Sequence, residues 1–521
     1  MNDVTLTLDG APVRAASGAT VAAAIMNAGT TTFRQSVTGE ARGPLCGMGI
    51  CWECRVTVDG RPHVRACMER VREGMDVQTV PATWRPSPAG ADTSRDGDER
   101  HAQVVVVGAG PAGLAAALAS ASSGARTLIV DENPASGGQI WRADHAAGPA
   151  ARAAALRADA ESAGAAFIHA AVTEATPRTL LAVRPDGRPI DIHADAIVLA
   201  TGARETWQPF SGWTLPGVLG AGGLQALVKN GLAIRDRRVL VAGHGPLLMA
   251  VAAYLRRRGA DVVGIAAGWS RGCERKLIPT LLTRPSKLRQ AASLLGALRG
   301  VRRWHSARLV SASGADHVRT ARITSNGETH DVEVDYIAYG CHLAPQTELA
   351  RWLGCRVDHH GVTVDELLRT SVNGVFSAGE ATGIGGVDLA LVEGTIAGNA
   401  AAGREDRARL QLRRHRREGR FAAAVDRAFL SASAPDELHD DTIICRCEDV
   451  PWGALRSFKG PDSARDGKLA TRCGMGPCQG RVCGPINQAM LGWAHDRVRP
   501  PLQPTSVETL VRRGTTENKH E

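Results

Sequence analysis

The chain has 521 residues, 44% of them hydrophobic and 22% charged, the balance of a globular protein with room for several cores. A net charge of +9 would suit a nucleic-acid binder, but aromatic residues make up only 4%. Part of the excess also falls within residues 404–420, so a solvated basic helix or a surface for an acidic partner fits better, and no nucleic-acid partner is expected. No apolar run reaches the ~20 residues of a membrane span. The start alternates as Val4-Thr5-Leu6-Thr7-Leu8, where a signal peptide would show an apolar block, and a cytoplasmic location is expected. In that setting twelve cysteines point to metal ligation or redox work, not to disulfides.

Residues 4–8 and 12–15 read as a hairpin turned at Asp9-Gly10, and residues 20–28 as a helix. Cys46, Cys51, Cys54 and Cys67 then follow the spacing C-x4-C-x2-C-x12-C. A [2Fe-2S] cluster needs four thiolates on two irons, and three on a glycine-bearing loop plus one from a later strand would supply them. Zinc is the alternative ligand for four cysteines, although x4-x2 is the ferredoxin pattern. A thioredoxin-like pair at Cys51 and Cys54 lacks the βαβ surroundings it needs. This module, residues 1–85, resembles the small ferredoxin-like subunit found with hydrogen cyanide synthase and related amino-acid dehydrogenases.

Residues 86–101 carry no apolar periodicity and read as a flexible tether. Four valines, 104–107, then form a strand buried on both faces, followed by Gly108-Ala109-Gly110-Pro111-Ala112-Gly113, a G-x-G-x-x-G turn. An alanine-rich helix comes next, and a second strand delivers Asp131 and Glu132. Gly108 allows the tight turn, Gly110 lets a pyrophosphate approach the backbone, and Gly113 lets helix pack on strand. The helix N-terminus faces the phosphates and Asp131 accepts hydrogen bonds from a ribose. The loop with Gly138 and Gln139 should lie near the nucleotide. A strand ending in Ala200-Thr201-Gly202 and another ending in Gly379-Glu380 complete a set that resembles the two-dinucleotide-binding flavoproteins, the class of glutathione and thioredoxin reductases. The resemblance implies FAD and places Gly379 and Glu380 at its ribityl-phosphate region.

Between these segments, residues 238–242 make another strand before Gly243-His244-Gly245. This second dinucleotide unit departs from the pattern twice: Leu248 stands at the third glycine, and the next strand, 262–267, ends without an acid to read a ribose. A domain that keeps the fold but has lost or changed its ligand is favoured. Arg271 or Arg275 keeps NADP open, and the absence of a C-x-x-C pair argues against disulfide reduction. Cys273, Cys341 and Cys355 read as small core residues. Residues 404–428 are expected to form one basic helix. Cys445, Cys447, Cys473 and Cys478 then offer ligands for a second [2Fe-2S] centre in an order that resembles bacterioferritin-associated ferredoxin, with a zinc ribbon as the alternative. Cys483, the fifth cysteine, is expected to pack within a helix, and Lys468 to sit in a loop.

The expected organisation is a ferredoxin-like domain at 1–85, the tether at 86–101 and an FAD domain in two parts, 102–205 and 336–403. A degenerate Rossmann domain is nested at 206–335. A basic connector at 404–440, a cluster domain at 441–495 and a tail at 496–521 complete the chain. The fold class is α/β: a glutathione-reductase-like FAD fold with an N-terminal β-grasp ferredoxin-like domain and a small helical C-terminal cluster domain. This module order resembles the flavoprotein subunit of hydrogen cyanide synthase, opine oxidases and D-hydroxyproline or proline dehydrogenases, with the small subunit fused to its front. The resemblance implies a partner flavoprotein similar to D-amino-acid dehydrogenase that oxidises a secondary amine, and in some members an FMN at the subunit interface. A stand-alone NAD(P)H oxidoreductase is the alternative, and a redox-responsive scaffold a third reading. No catalytic base or nucleophile stands out.

Overall fold

The computed structural model describes residues 3–79, 98–145, 147–148, 150–429, 438–460, 463–494, 498–507 and 509. At the N-terminus a five-stranded sheet runs in the order Ala11–Ala16, Asp3–Leu8, Asp76–Gln78, Arg55–Val58, Arg61–Arg65. The helix Val21–Asn27 starts at Thr20, whose hydroxyl accepts from the Ala23 N–H at 3.4 Å. It is apolar on all sides because it is covered twice, by its own sheet and by the nested domain. The Thr20 N–H donates to the Asn230 carbonyl and the Asn27 side chain to that of Gly231.

Most of the expected tether lies outside the described residues, but its last part is not a tether. The strand begins at Asp98 and runs to Val107, pairing in parallel with Pro189–Leu199 from Asp98 onwards. The two strands share a sheet ordered Ala166–His169, Thr127–Asp131, Asp98–Val107, Pro189–Leu199, Thr179–Val183, Ala171–Thr176, with Val375–Ser377 also beside Pro189–Leu199. The four valines are buried, as strands covered on both faces require. The helices Pro111–Ala121 and Val387–Ala401 pack on one another through alanine and glycine, which brings their backbones close.

The nested domain has its own parallel sheet: Val218–Gly220, Tyr336–Gly340, Arg238–Gly243, Asp261–Ala267, Arg303–Trp304. Two antiparallel strands, Ala203–Thr206 and His342–Pro345, carry the chain between the two nucleotide folds. The basic stretch forms two helices, Glu405–Arg409 and Leu412–Phe429, not one. In the C-terminal module Lys468 belongs to the helix Ala464–Thr471 instead of a loop. One apolar core joins the first cysteine loop, the segment around Trp213 and the C-terminal module, so these parts are bound by shared burial. Among the described residues no helix is long and apolar enough to cross a membrane.

Candidate functional site

A deep cavity opens over the glycine turn. Gly108, Gly110, Pro111 and Ala112 form its floor, Asp131 and Glu132 one end, and Gly138 and Gln139 a flank. Ala200, Thr201, Gly202 and Glu380 line it as well, whereas Gly113 and Gly379 lie behind the surface. Gly113 serves the packing of helix on strand, because a side chain there would run into the Gly108 carbonyl. The Gly379 N–H donates to the buried Glu393 carboxylate at 2.8 Å. Asp131 is turned inward, accepting from the Ala109 N–H and from Asn133 N–H at 2.6 Å, and burial raises its pKa above the usual carboxylate value. It therefore braces the glycine turn. Glu132 accepts from Arg65 at 3.3 Å and from Gln503 at 2.9 Å.

Both cysteine loops reach this cavity, which their spacing could not reveal. Met48 and Ile50, inside the first loop, line it, and so does Arg481, between Cys478 and Cys483. The first loop is seated by close backbone contact: Gly47 lies against Gly223, at the start of the helix Ala221–Lys229, where neither could carry a side chain. Cys46, Cys51, Cys54 and Cys67 are all buried. Cys46 neighbours Cys51, and Cys54 neighbours Cys67. A single tetrahedral zinc would draw all four sulfurs to about 3.8 Å from one another. Two pairs instead fit two irons, two thiolates to each.

The C-terminal cysteines also gather. Cys447 shares a hydrogen bond with Cys478, and the sulfurs of Cys445, Cys473 and Cys483 lie within 4.8 Å of one another. Cys483, expected to pack within a helix, stands at the start of Cys483–Leu491 and turns its sulfur into this group. The site thus holds five thiols, with the Gly474 N–H donating to Cys445 at 3.5 Å and the Asn487 amide to Cys473 at 3.2 Å. Cys341 and Cys355 are buried.

The two loops meet through the residues between their cysteines. Glu53, between Cys51 and Cys54, lies 3.5 Å from the guanidinium of Arg446, between Cys445 and Cys447. Arg34 adds a second cation at 3.0 Å from Glu53 and donates to the Arg446 carbonyl. Nearby Arg42 pairs with Asp449 at 2.7 Å, and Thr38 donates to the same carboxylate.

A further carboxylate carries no mark in the sequence. Glu205 lines the cavity, and its oxygens accept from the N–H groups of Gly222 at 2.8 Å and Gly223 at 3.1 Å, at the positive end of the helix. Burial pushes its pKa up to about 7 against the pull of those amides. Its place after the Ala-Thr-Gly strand belongs to no motif, so only the fold brings it into view.

In the nested domain the chain's own side chains crowd the end of the second strand. The His244 imidazole, from the Gly243-His244-Gly245 turn, lies directly over Gly268 at the end of the second strand, where a Cβ would collide with the ring. It stacks on His342 at 5.9 Å, and burial pushes its pKa down to about 4, so it is neutral at neutral pH. Next to Gly268, Trp269 is buried edge-on against Phe429 of Leu412–Phe429 at 5.1 Å. Leu248 is buried in the core, and Arg271 and Arg275 are exposed on the short helix Arg271–Lys276.

Comparison with known proteins matches residues 1–82 to a 2Fe-2S iron-sulfur cluster binding domain and residues 102–400 to the pyridine nucleotide-disulphide oxidoreductase family. An opine oxidase subunit of Rhizobium meliloti strain 1021 is 34% identical over 452 residues, covering 77% of this chain and 97% of the relative. Two subunits of hydrogen cyanide synthase from Pseudomonas aeruginosa match different parts. HcnB is 31% identical over 437 residues, with 76% of this chain and 92% of HcnB covered. HcnA is 46% identical over 77 residues, 15% of this chain and 74% of HcnA. L-proline dehydrogenase from P. horikoshii shares the fold with a TM-score of 0.71 at 19% identity, covering 98% of this chain and 97% of that one.

Proposed function

Because the chain belongs to the family of this opine oxidase subunit and of HcnB, and itself carries a 2Fe-2S domain and an FAD oxidoreductase domain, we propose that it is the electron-transferring subunit of a heteromeric dehydrogenase or oxidase. In this reading the complex oxidises the C–N bond of an amino acid, imino acid or opine. The oxidation takes place on a partner flavoprotein similar to D-amino-acid dehydrogenase, with an FMN at the interface belonging to the same reading. HcnA and HcnB are separate subunits in the relative, and both of their regions occur here in one chain.

The observation that carries the proposal is the access of both cysteine loops to one cavity, through Met48, Ile50 and Arg481. FAD there would supply the conversion between an electron pair and single electrons, which is what one-electron clusters on either side require. Gly108, Gly110, Pro111, Ala112, Gly138 and Gln139 would hold its phosphates, with Glu132, Ala200, Thr201, Gly202 and Glu380 along its length. Asp131, Gly113 and Gly379 would act by shaping the backbone. Cys46 with Cys51 and Cys54 with Cys67 would each hold one iron. Cys445, Cys447, Cys473 and Cys478 would hold a second cluster, with Cys483 within reach of it. Glu53 and Arg446 fix the distance between the loops, and Glu205 offers a buried proton site beside the cavity.

The alternative, a stand-alone NAD(P)H oxidoreductase, keeps only the Gly243-x-Gly245 turn in its favour, and His244 and Trp269 speak against it. An anaerobic visible spectrum of the purified chain separates the two. Neither NADH nor NADPH should bleach the flavin and cluster bands, while dithionite reduces all of them. Rapid bleaching by either nucleotide would overturn the proposal in favour of the alternative.

A further inference from the structure

The outward face of the flavin-domain sheet carries a second, unrelated constellation. Glu99 and His101 are two residues apart on Asp98–Val107, so their side chains leave the strand on the same side. His193 is in register with His101 on the neighbouring parallel strand and shares that face. On the other face, Ile190 and Ile192 enter the core. Both Nε2 atoms approach one oxygen of Glu99, at 3.2 Å from His101 and 3.0 Å from His193. The ligand-capable atoms of all three residues lie within 4.8 Å of one another. Asp191, in register with Glu99, adds a further carboxylate to this face.

We propose that Glu99, His101 and His193 form a binding site for a zinc-class divalent cation, a two-histidine, one-carboxylate set built on two parallel strands. An ion bound at ~2.0–2.1 Å in tetrahedral geometry holds its ligand atoms about 3.3 Å apart. Two edges of that triangle are already present in the His101–Glu99 and His193–Glu99 distances. The imidazole rings are stacked, with centroids 4.7 Å apart and planes 14° from parallel, so they must splay for each lone pair to face the ion. Side-chain exposures of 62%, 41% and 59% for His101, His193 and Glu99 leave them free to do so. Two imidazoles select zinc and its transition-metal neighbours over magnesium or calcium, which take oxygen ligands. Three protein ligands leave the fourth position to water or to a small ligand.

The site has a mechanical meaning. Residues 98–103 are the outer extension of the strand, the first part of the FAD domain after residues 86–97, and bound metal would fasten this extension to Pro189–Leu199.

Titration of the intact, cofactor-loaded chain, freed of any affinity tag, with zinc chloride against a chromophoric chelator tests this. One zinc should bind per wild-type chain, with excess magnesium unable to compete and with a rise in Tm. Affinity should fall at least tenfold in His101→Ala and in His193→Ala, and the zinc-dependent rise in Tm should vanish in both. These surface variants keep the clusters and flavin, which their visible spectra report. Equal zinc binding by the wild type and the His101→Ala/His193→Ala double variant would overturn the proposal and trace the metal to the thiols. Absence of zinc binding by the wild type would overturn it as well, leaving Glu99 as a surface acceptor for two imidazoles.

Discussion

Glu53 and Arg446 face one another at 3.5 Å with both side chains 1% exposed, each held between two cysteines of its own loop. Because Arg34 also pairs with Glu53, the carboxylate answers two buried cations. The two partners are therefore unequal. Glu53→Gln strands both guanidinium groups and should cost about 3–5 kcal/mol. Arg446→Met leaves Glu53 paired with Arg34 and should cost no more than about 2 kcal/mol. Chemical unfolding of the two variants checks the order, and a larger loss for Arg446→Met would contradict it.

Glu205 makes stability depend on pH in a fixed direction. Its folded pKa, about 7, lies above the ordinary carboxylate value, so between the two the folded state holds a proton that the unfolded chain has released. Stability from this group is therefore full in mild acid and falls as pH rises towards 7, by about 3 kcal/mol in all. Glu205→Gln cannot titrate and should flatten that part of the Tm–pH profile. A variant profile parallel to the wild type would remove Glu205 as the cause.

Five thiols at the C-terminal site exceed the four a cluster needs. In the proposed second cluster, the closeness of Cys473 and Cys483 would let either complete the set beside Cys445, with Cys447 and Cys478 on the other iron. Cys473→Ala and Cys483→Ala should each keep the second cluster signal in electron paramagnetic resonance of the reduced protein. The double variant, like Cys445→Ala alone, should lose it. Loss in one single variant but not the other would assign the fourth ligand outright.

Two glycines of the same turn should fail differently. A methyl group on Gly113 meets the Gly108 carbonyl, so Gly113→Ala should disturb the fold and lower Tm. A methyl on Gly110 meets nothing closer than Gly138 Cα at 3.8 Å, so Gly110→Ala should fold normally and lose FAD. The ratio of flavin to protein absorbance, read beside Tm, separates them.

Local rules make much of this legible. The valine strand, the glycine turn and the cysteine spacings are short-range patterns, and the structure places four of the six glycine-turn residues on one cavity. What escapes them depends on contacts between segments that no local pattern links, or on details that propensity blurs. Glu53 with Arg446 and Glu205 with Gly222 join segments that no periodicity relates. The strand start at Asp98 is hidden because its outer half is polar and carries no apolar alternation. The break between the two basic helices is hidden because Leu410 and Gln411 look helical by propensity. Cys483 escapes because spacing counts residues along the chain and cannot measure where a sulfur points.

The imidazole over Gly268 has a physiological corollary. In the proposed function, the imidazole over Gly268 would uncouple electron flow through this chain from the pyridine-nucleotide balance of the cell. Starvation or oxidative load would alter NADH and NADPH without pushing electrons backwards through this chain. Its throughput would then be set at the two open ends, by the supply of reduced substrate and by the acceptor that drains the clusters.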